Sequence, residues 1–133
     1  MSHQTGNLPF TKVGIGMPVY NGEQYIEESL KSNLCQTFED FTLIISDNAS
    51  SDRTQEICLD YASRDKRIHY IHNTVNLGAP KNYARCFEPA NCEYFRWSNY
   101  DDLIQPNLIE RCVEVLDTNP DTVLAYGKTK IID

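Results

Sequence analysis

The feature that most constrains this sequence is a regular alternation of short apolar segments with segments of helical periodicity. The apolar segments have the length and residue types of buried strands, and they are Lys12–Val19, Phe41–Ser46, Ile68–Ile71, Tyr94–Trp97 and Thr122–Tyr126, with Lys128–Ile132 as a candidate sixth. Between them, helical spacing predicts helices over about 22–32, 54–64, 81–88 and 106–117. This alternation predicts βαβ units with right-handed crossovers, and therefore an α/β fold with a mostly parallel sheet.

Local signals mark the ends of the first strand and the first helix. Gly14 and Gly16 are weak strand formers inside a strand, which indicates that another group approaches that backbone closely. Asn21 stands where a helix cap is expected, with Gln24 placed to bond back as in a capping box. Residues 1–11 are mostly polar and predict a flexible lead-in, so the folded domain is expected over 12–133.

Three polar loops follow predicted strands, at 18–23, 47–52 and 99–102. The carboxyl ends of parallel strands meet at one edge of a sheet, where open α/β folds bind their ligands, so we expect these loops to converge. Asp47 directly follows a strand, and its carboxylate is able to accept the ring N–H of a uracil or a ribose hydroxyl. The alternative is an acid favoured by the dipole of the following helix.

Other polar and aromatic side chains near these loops also have two interpretations. Tyr20 is suited to stack on a nucleobase, or it is a packing aromatic. Glu23 is a hydrogen-bond acceptor for the ligand, or an ordinary acid in the first turn of a helix. Lys81, on the third predicted helix, reaches a diphosphate or is a solvated surface lysine. The odd spacing of His69 and His72 points them to opposite faces of a strand, which indicates structural roles.

Asp101 and Asp102 are adjacent carboxylates just beyond the aromatic strand. Two neighbouring carboxylates repel each other, and they persist most readily if a divalent cation neutralises them or if water surrounds them. The residues alone therefore leave two interpretations open, a cation site and a solvated acidic turn.

Charge and cysteine content limit the partners and the compartment. The net charge of −7 argues against nucleic acid as a partner, because phosphate backbones favour lysine and arginine. An anionic ligand such as a nucleoside diphosphate would need a cation or a local basic group. The five cysteines contain no CxxC pair, which indicates reduced thiols and a cytoplasmic protein. No signal peptide or membrane-spanning stretch is visible, which leaves membrane association of a longer parent protein open.

Four segments resemble signatures of the family 2 glycosyltransferases, which have the GT-A fold. They stand in the family's order and spacing, as Val13–Glu23, Ile45–Thr54, Asn76–Asn82 and Trp97–Leu103. The resemblance runs from about Lys12 to Asp133. It implies a truncated GT-A, or Rossmann-like, domain whose mostly parallel sheet has helices on both faces.

The resemblance also implies the N-terminal, nucleotide-sugar-binding part of an enzyme. Members of the family bind a nucleotide sugar, usually UDP-linked, and typically transfer the sugar with inversion to an acceptor, here an unknown saccharide, lipid or protein. By this resemblance Asp47 holds the base, Pro18, Val19 and Tyr20 line it, and Glu23 supports the nucleotide.

On the diphosphate side, the segment around Asp101 resembles the metal-binding DxD region of the family. Asp101 is expected to ligate Mg²⁺ or Mn²⁺, a Lewis acid that offsets charge on the leaving group. Lys81 is expected to reach the diphosphate. Asn99 stands where the family has the first DxD acid, and its amide is able to bond a ribose or a metal-bound water but brings no charge.

Two departures from the family pattern keep a rival function in view. Asn99 weakens the expected metal site, and the family's catalytic base and acceptor-binding half follow the DxD region, beyond Asp133. The chain alone is therefore not expected to transfer sugar efficiently. The rival is a non-catalytic nucleotide-sugar-binding or interaction module that retains the fold.

Overall fold

Four strands and four helices alternate in the computed structural model, which describes residues 8–132. The strands are β1 Thr11–Val19, β2 Phe41–Asp47, β3 Ile68–His72 and β4 Cys92–Trp97. The helices are α1 Ile26–Leu34, α2 Thr54–Arg64, α3 Ala79–Phe87 and α4 Leu108–Thr118. The strands form one parallel sheet in the order β3-β2-β1-β4. The predicted α/β class and parallel sheet are confirmed.

Strand β1 lies at the centre of this sheet, and its two faces differ in chemistry. Val13, Ile15, Met17 and Val19 point to one face and are buried in the apolar core. Two of the alternate positions are glycines, Gly14 and Gly16, where the opposite face is crowded. A Cβ on Gly16 would lie 2.7 Å from Phe95 Cζ and 3.0 Å from Cβ of a cysteine on α3. The close approach predicted from the glycines is therefore made by β4 aromatic side chains and by α3.

Helices cover both faces, as predicted. The core face of the sheet packs against α1, α2 and α4. These helices contribute Leu30, Tyr61 and Val113, respectively, to the buried core. Helix α3 lies on the other face, where Cys86 approaches the β1 backbone. Burial of these apolar side chains at about 25 cal/mol per Å² is the main favourable term for such a layered domain.

The strand order creates a switch point at the carboxyl end of β1. Strands β2 and β3 are added one after the other on the same side of β1. The chain then crosses back, and β4 pairs with the other side of β1. The loops after β2 and β4 therefore flank the loop after β1, which is the position where open α/β sheets bind ligands.

Two local predictions are wrong. Segment 119–132, which holds the strands predicted at 122–126 and 128–132, contains no strand, and Val123 and Ile131 are 96% and 90% exposed. A strand needs a hydrogen-bonded neighbour, and none of the described residues pairs with this segment. Asn21 does not cap a helix either, because α1 begins at Ile26 and its capping position, Tyr25, makes no side-chain bond.

The start of α1 lies four residues later than predicted, and the other boundaries differ from the predicted ones by two residues at most. The lead-in predicted over 1–11 lies largely outside the described residues, which begin at Leu8, and β1 already includes Thr11. Helix α2 has the predicted bounds, Thr54–Arg64. Within 8–132, the helices are all too short and too polar to cross a membrane.

Candidate functional site

The loops after β1 and β2 are bonded to each other through side chains. Asn21 Oδ1 accepts the backbone N–H of Ser51 at 2.9 Å. Glu23 Oε2 accepts the backbone N–H of Arg53 at 3.2 Å, and its own N–H donates to Asp52 Oδ2 at 3.1 Å. The two loops therefore form one unit at the carboxyl edge of the sheet. Glu23, in the loop after β1, bonds the residue at the capping position of α2.

Backbone strain lies in the same pair of loops. Asn21 and Ala49 have φ angles of 49° and 61°, in the left-handed region. Asparagine tolerates this region, whereas alanine pays about 1 kcal/mol for it. The position of Ala49 is held by its N–H, which donates to the carbonyl of Asp47 at 2.9 Å.

Asp47 is fully buried at the end of β2, opposite Val19 on β1 and His72 on β3. Its Oδ1 accepts the N–H of Ser50 at 3.0 Å, and its Oδ2 accepts the hydroxyl of Tyr70 at 2.6 Å. Burial and the bond to this carboxylate raise the pKa of Tyr70 far above its usual range, so the phenol keeps its proton.

A network of buried amides fastens the loop before α3 to the same edge. Asn82 Oδ1 accepts bonds from Ser46 Oγ at 2.7 Å and Asn73 Nδ2 at 2.9 Å, and Asn82 Nδ2 donates to the carbonyl of Ser46. Asn48 continues the network by accepting Asn73 Nδ2 and donating to Asn76 Oδ1 at 2.8 Å. These bonds bring the Asn76–Asn82 segment to the end of β2.

The loop after β4 lies on the other side of β1. Ser98 is buried, and its N–H donates to the carbonyl of Gly16 at 2.8 Å. Ser29 on α1 donates to the carbonyl of Asn99 at 2.9 Å. A Cβ on Gly22 would lie 2.7 Å from the ring of Tyr100, so the loops after β1 and β4 also touch.

The predicted donor-site residues therefore lie along one edge, with different exposures. Pro18, Val19 and Asp47 are buried, whereas the others are exposed, namely Tyr20, Glu23, Lys81, Asn99 and Asp101. Lys81 lies on the first turn of α3, adjacent to the buried Asn82. The expected convergence of the three loops is found.

The polar side chains of the β4–α4 loop suit a divalent cation whose remaining ligands come from a diphosphate. Asp101 and Asp102 are exposed carboxylates, and Asn99 Nδ2 donates to Asp102 Oδ2 at 2.9 Å. Residues 8–132 contain no group of three or more His, Cys, Asp or Glu side chains suited to a metal. Mg²⁺ is typically held by one or two carboxylates together with substrate phosphates, which matches this pair.

Sequence reasoning missed the residues that surround Asp47 from β3. His72, interpreted as structural, has Nδ1 at 3.6 Å from Asp47 Oδ2 and at 3.3 Å from the hydroxyl of Tyr70. Asn73 and Asn82 were also missed as a buried pair. The sequence indicates that Tyr70 and His72 share one face of β3. It does not indicate the register with β2 that brings both side chains to Asp47.

The sequence profile of Glycosyl transferase family 2 matches residues 15–133. This chain belongs to that family. An uncharacterized glycosyltransferase of Rickettsia conorii is 34% identical to this family 2 domain over 131 residues, which cover 96% of the chain and 21% of the relative.

Solved structures give the same result for the fold. The S. aureus TarS fragment 1–349 in complex with UDP matches this family 2 domain with a TM-score of 0.76 at 26% identity, covering 82% of this chain and 33% of the fragment. TarS in complex with UDP-GlcNAc matches with a TM-score of 0.76 at 27% identity, covering 82% and 32%. The predicted family and GT-A fold are confirmed.

A more distant structure extends the likeness of the fold. The mannosyltransferase PcManGT of Pyrobaculum calidifontis, in complex with GDP-Man and Mn²⁺, has a TM-score of 0.65 at 22% identity, over 70% of this chain and 28% of that enzyme. This likeness concerns the fold alone. The family 2 domain described here thus spans about a fifth of the R. conorii relative and about a fifth of TarS.

Proposed function

We propose that residues 12–133 form the donor-binding part of a glycosyltransferase that binds a UDP-linked sugar with a divalent cation. The observation that carries this proposal is the placement of Asp47 and the Asn99–Asp102 loop on the two strands that flank β1, at one edge of the sheet. A ligand lying across β1 would reach both. Support also comes from TarS, whose structures hold UDP and UDP-GlcNAc.

The base end of the donor lies, in this proposal, over the loops after β1 and β2. Asp47 accepts the ring N–H of the uracil, and Pro18 and Val19 line the base. Tyr20 is 48% exposed and is free to stack on a planar ring. Glu23 acts through the loop, because its carboxylate holds the N–H of Arg53.

The diphosphate end lies over the β4–α4 loop and the start of α3. Asp101 holds Mg²⁺ or Mn²⁺, which, when bound, supplies Lewis-acid stabilisation of the leaving diphosphate. Asn99 donates its amide N–H to Asp102 and, in this proposal, bonds the ribose or a metal-bound water. Lys81 is exposed on α3 and offsets phosphate charge in a domain of net charge −7.

Transfer of the sugar, with inversion, belongs to the longer protein in this proposal. The chain spans about a fifth of TarS, and we place the carboxylate base and the acceptor site outside residues 1–133. We therefore expect no efficient transfer by this chain alone. The acceptor is a saccharide, lipid or protein, and the cytoplasmic location expected from the five free cysteines stays a prediction.

Calorimetric titration of the chain with UDP, with and without Mn²⁺, tests the donor site. We expect Mn²⁺ to strengthen UDP binding and Asp101→Ala to remove that gain, a loss of about tenfold or more in affinity. Asp121→Ala removes an equally exposed carboxylate beyond α4 and serves as the control. Metal-independent binding, or equal effects of the two variants, would contradict the role of Asp101.

A second candidate function is a nucleotide-sugar-binding module without catalysis. Asn99 favours it, because an amide in place of the first acid lowers the charge available to a cation. The longer parent protein, supplied with a UDP-sugar and a panel of acceptors, separates the two functions. Donor binding without transfer to any of them supports the module.

A further inference from the structure

One row of side chains on α1 is polar although it lies inside the protein. Ser29 and Asn33 are fully buried, Ser32 is half-buried, and Gln36, two residues after the end of the helix, is 4% exposed. Their spacing of three to four residues places them along one side of the helix. Buried polar groups are costly unless they are hydrogen-bonded, so the partners of this polar row show what it does.

Two members of the polar row bond the start of the β4–α4 loop. Ser29 Oγ donates to the carbonyl of Asn99 at 2.9 Å, and Asn33 Nδ2 donates to Ser98 Oγ at 3.1 Å. Asn33 Nδ2 also donates to the carbonyl of Ser29 at 2.8 Å, which links the two contacts. The backbone of the loop is therefore fixed two residues before Asp101.

The other two members bond the end of the same loop. Gln36 Nε2 donates to the carbonyl of Gln105 at 2.7 Å, and its Oε1 accepts the N–H of Ile109 at 3.1 Å. Ser32 Oγ accepts the N–H of Ile104 at 3.4 Å. The polar row thus bonds both ends of the loop, and the two exposed carboxylates lie between the bonded ends.

This arrangement suits a loop that offers a cation only a few ligands. Mg²⁺ demands near-ideal geometry from the one or two carboxylates that hold it. Groups that orient metal ligands without touching the metal typically change its affinity by about 10- to 100-fold when they are removed. A loop that is fixed at both ends before the cation arrives also loses less conformational freedom on binding.

We propose that the polar row of α1 positions the β4–α4 loop for its cation, with Ser29 and Gln36 as the positioning residues at the two ends. This inference rests on the proposed function, since the cation is the one that Asp101 holds there. The two side chains act through the loop backbone and do not touch the ligand. Their removal should therefore weaken the binding of UDP only when the cation is present.

Calorimetric titration with UDP, with and without Mn²⁺, separates these two affinities. We expect Ser29→Ala and Gln36→Ala each to lower the affinity for UDP in the presence of Mn²⁺ by about tenfold. The affinity for UDP without the metal should stay unchanged, because neither substitution alters the loops after β1 and β2. A merely structural role would lower both affinities alike.

Ile26→Val is a matched control on the same helix. Ile26 is fully buried in the apolar core, and its side chain carries no hydrogen-bonding group. The substitution lowers stability through lost packing alone. We expect it to leave both affinities for UDP unchanged. A loss of the Mn²⁺ effect in Ile26→Val as large as in Ser29→Ala would indicate a general effect on stability and overturn the inference.

Asp101→Ala provides a second arm. Adding Ser29→Ala to it should lower the affinity for UDP in the presence of Mn²⁺ no further, because the ligand that Ser29 positions is already absent. Independent effects in this double variant, or an undiminished Mn²⁺ effect in either Ser29→Ala or Gln36→Ala, would overturn this inference alone. If Mn²⁺ does not strengthen UDP binding by the unaltered chain, the proposed cation site fails and this inference fails with it.

Discussion

The loops after β2 and β4 lie on either side of β1, and they are built differently. The β2 loop encloses Asp47 completely and is bonded to the β1 loop, to Tyr70 and to the buried amides around Asn82. The β4 loop is anchored through Ser98 but exposes Asp101 and Asp102. The Asp47 side of this edge is therefore closed by contacts within the protein, whereas the carboxylates of the β4 loop are open to solvent.

The largest effect that tests this contrast is on stability. Asn82→Ala removes a buried amide that accepts two bonds and donates one, and it leaves Ser46 and Asn73 without their partner. We expect the free energy of unfolding to fall by about 2–3 kcal/mol, because buried unpaired polar groups are costly. Asp102→Ala, on the open loop, should cost about 0.5 kcal/mol or less.

Urea titration of both variants, followed by circular dichroism, provides the measurement. Equal costs for Asn82→Ala and Asp102→Ala would mean that the two loops do not differ in how firmly they are built. The two loops would then differ in exposure alone.

The next effect concerns the open loop and its proposed cation. Asn99→Asp adds a carboxylate next to Asp101, and we expect the affinity for Mn²⁺ in the presence of UDP to rise by about tenfold, or about 1.4 kcal/mol. In the unaltered chain Asn99 bonds Asp102, whereas in the variant two carboxylates face each other. Without the cation, the substitution should therefore not strengthen the binding of UDP.

Asn107→Asp adds the same charge at the capping position of α4 and is the control for nonspecific attraction. Calorimetric titration with Mn²⁺ compares the two variants. If Asn99→Asp binds Mn²⁺ no better than Asn107→Asp, position 99 does not lie beside the cation.

The smallest effect measures strain in the closed loop. Ala49 has a φ of 61°, so Ala49→Gly should raise the free energy of unfolding by about 0.5–1 kcal/mol. Gly78 has a φ of 83° with open space around it, so Gly78→Ala should lower it by about 1 kcal/mol through the backbone alone. Thermal unfolding of both variants checks the signs, and a loss of stability in Ala49→Gly would show that no strain is stored there.

Much of the fold was predictable because it depends on local chemistry. The bounds of α2 and the existence of four strands follow from apolar periodicity, which needs no knowledge of neighbours. Convergence of the loops at 18–23, 47–52 and 99–102 was also predictable, since parallel strands align their carboxyl ends.

Other features were not predictable because each depends on a partner distant in sequence. Asn21 looks like a helix cap, yet its amide oxygen bonds Ser51 in another loop. Segment 119–132 holds short apolar runs like those of strands, but no described residue pairs with it. The odd spacing of His69 and His72 describes a single strand, and it does not reveal that His72 lies beside Asp47 on the neighbouring strand.

The sequence by itself determined the family, the order of strands and helices, and which loops would share an edge of the sheet. Motif spacing and periodicity are properties of nearby residues, so they are visible in one dimension. The tertiary structure alone decided that Asp47 is sealed between Ser50 and Tyr70 while Asp101 stays in solvent. Burial and strand register arise from the packing of residues far apart in the chain, and no local pattern contains that information.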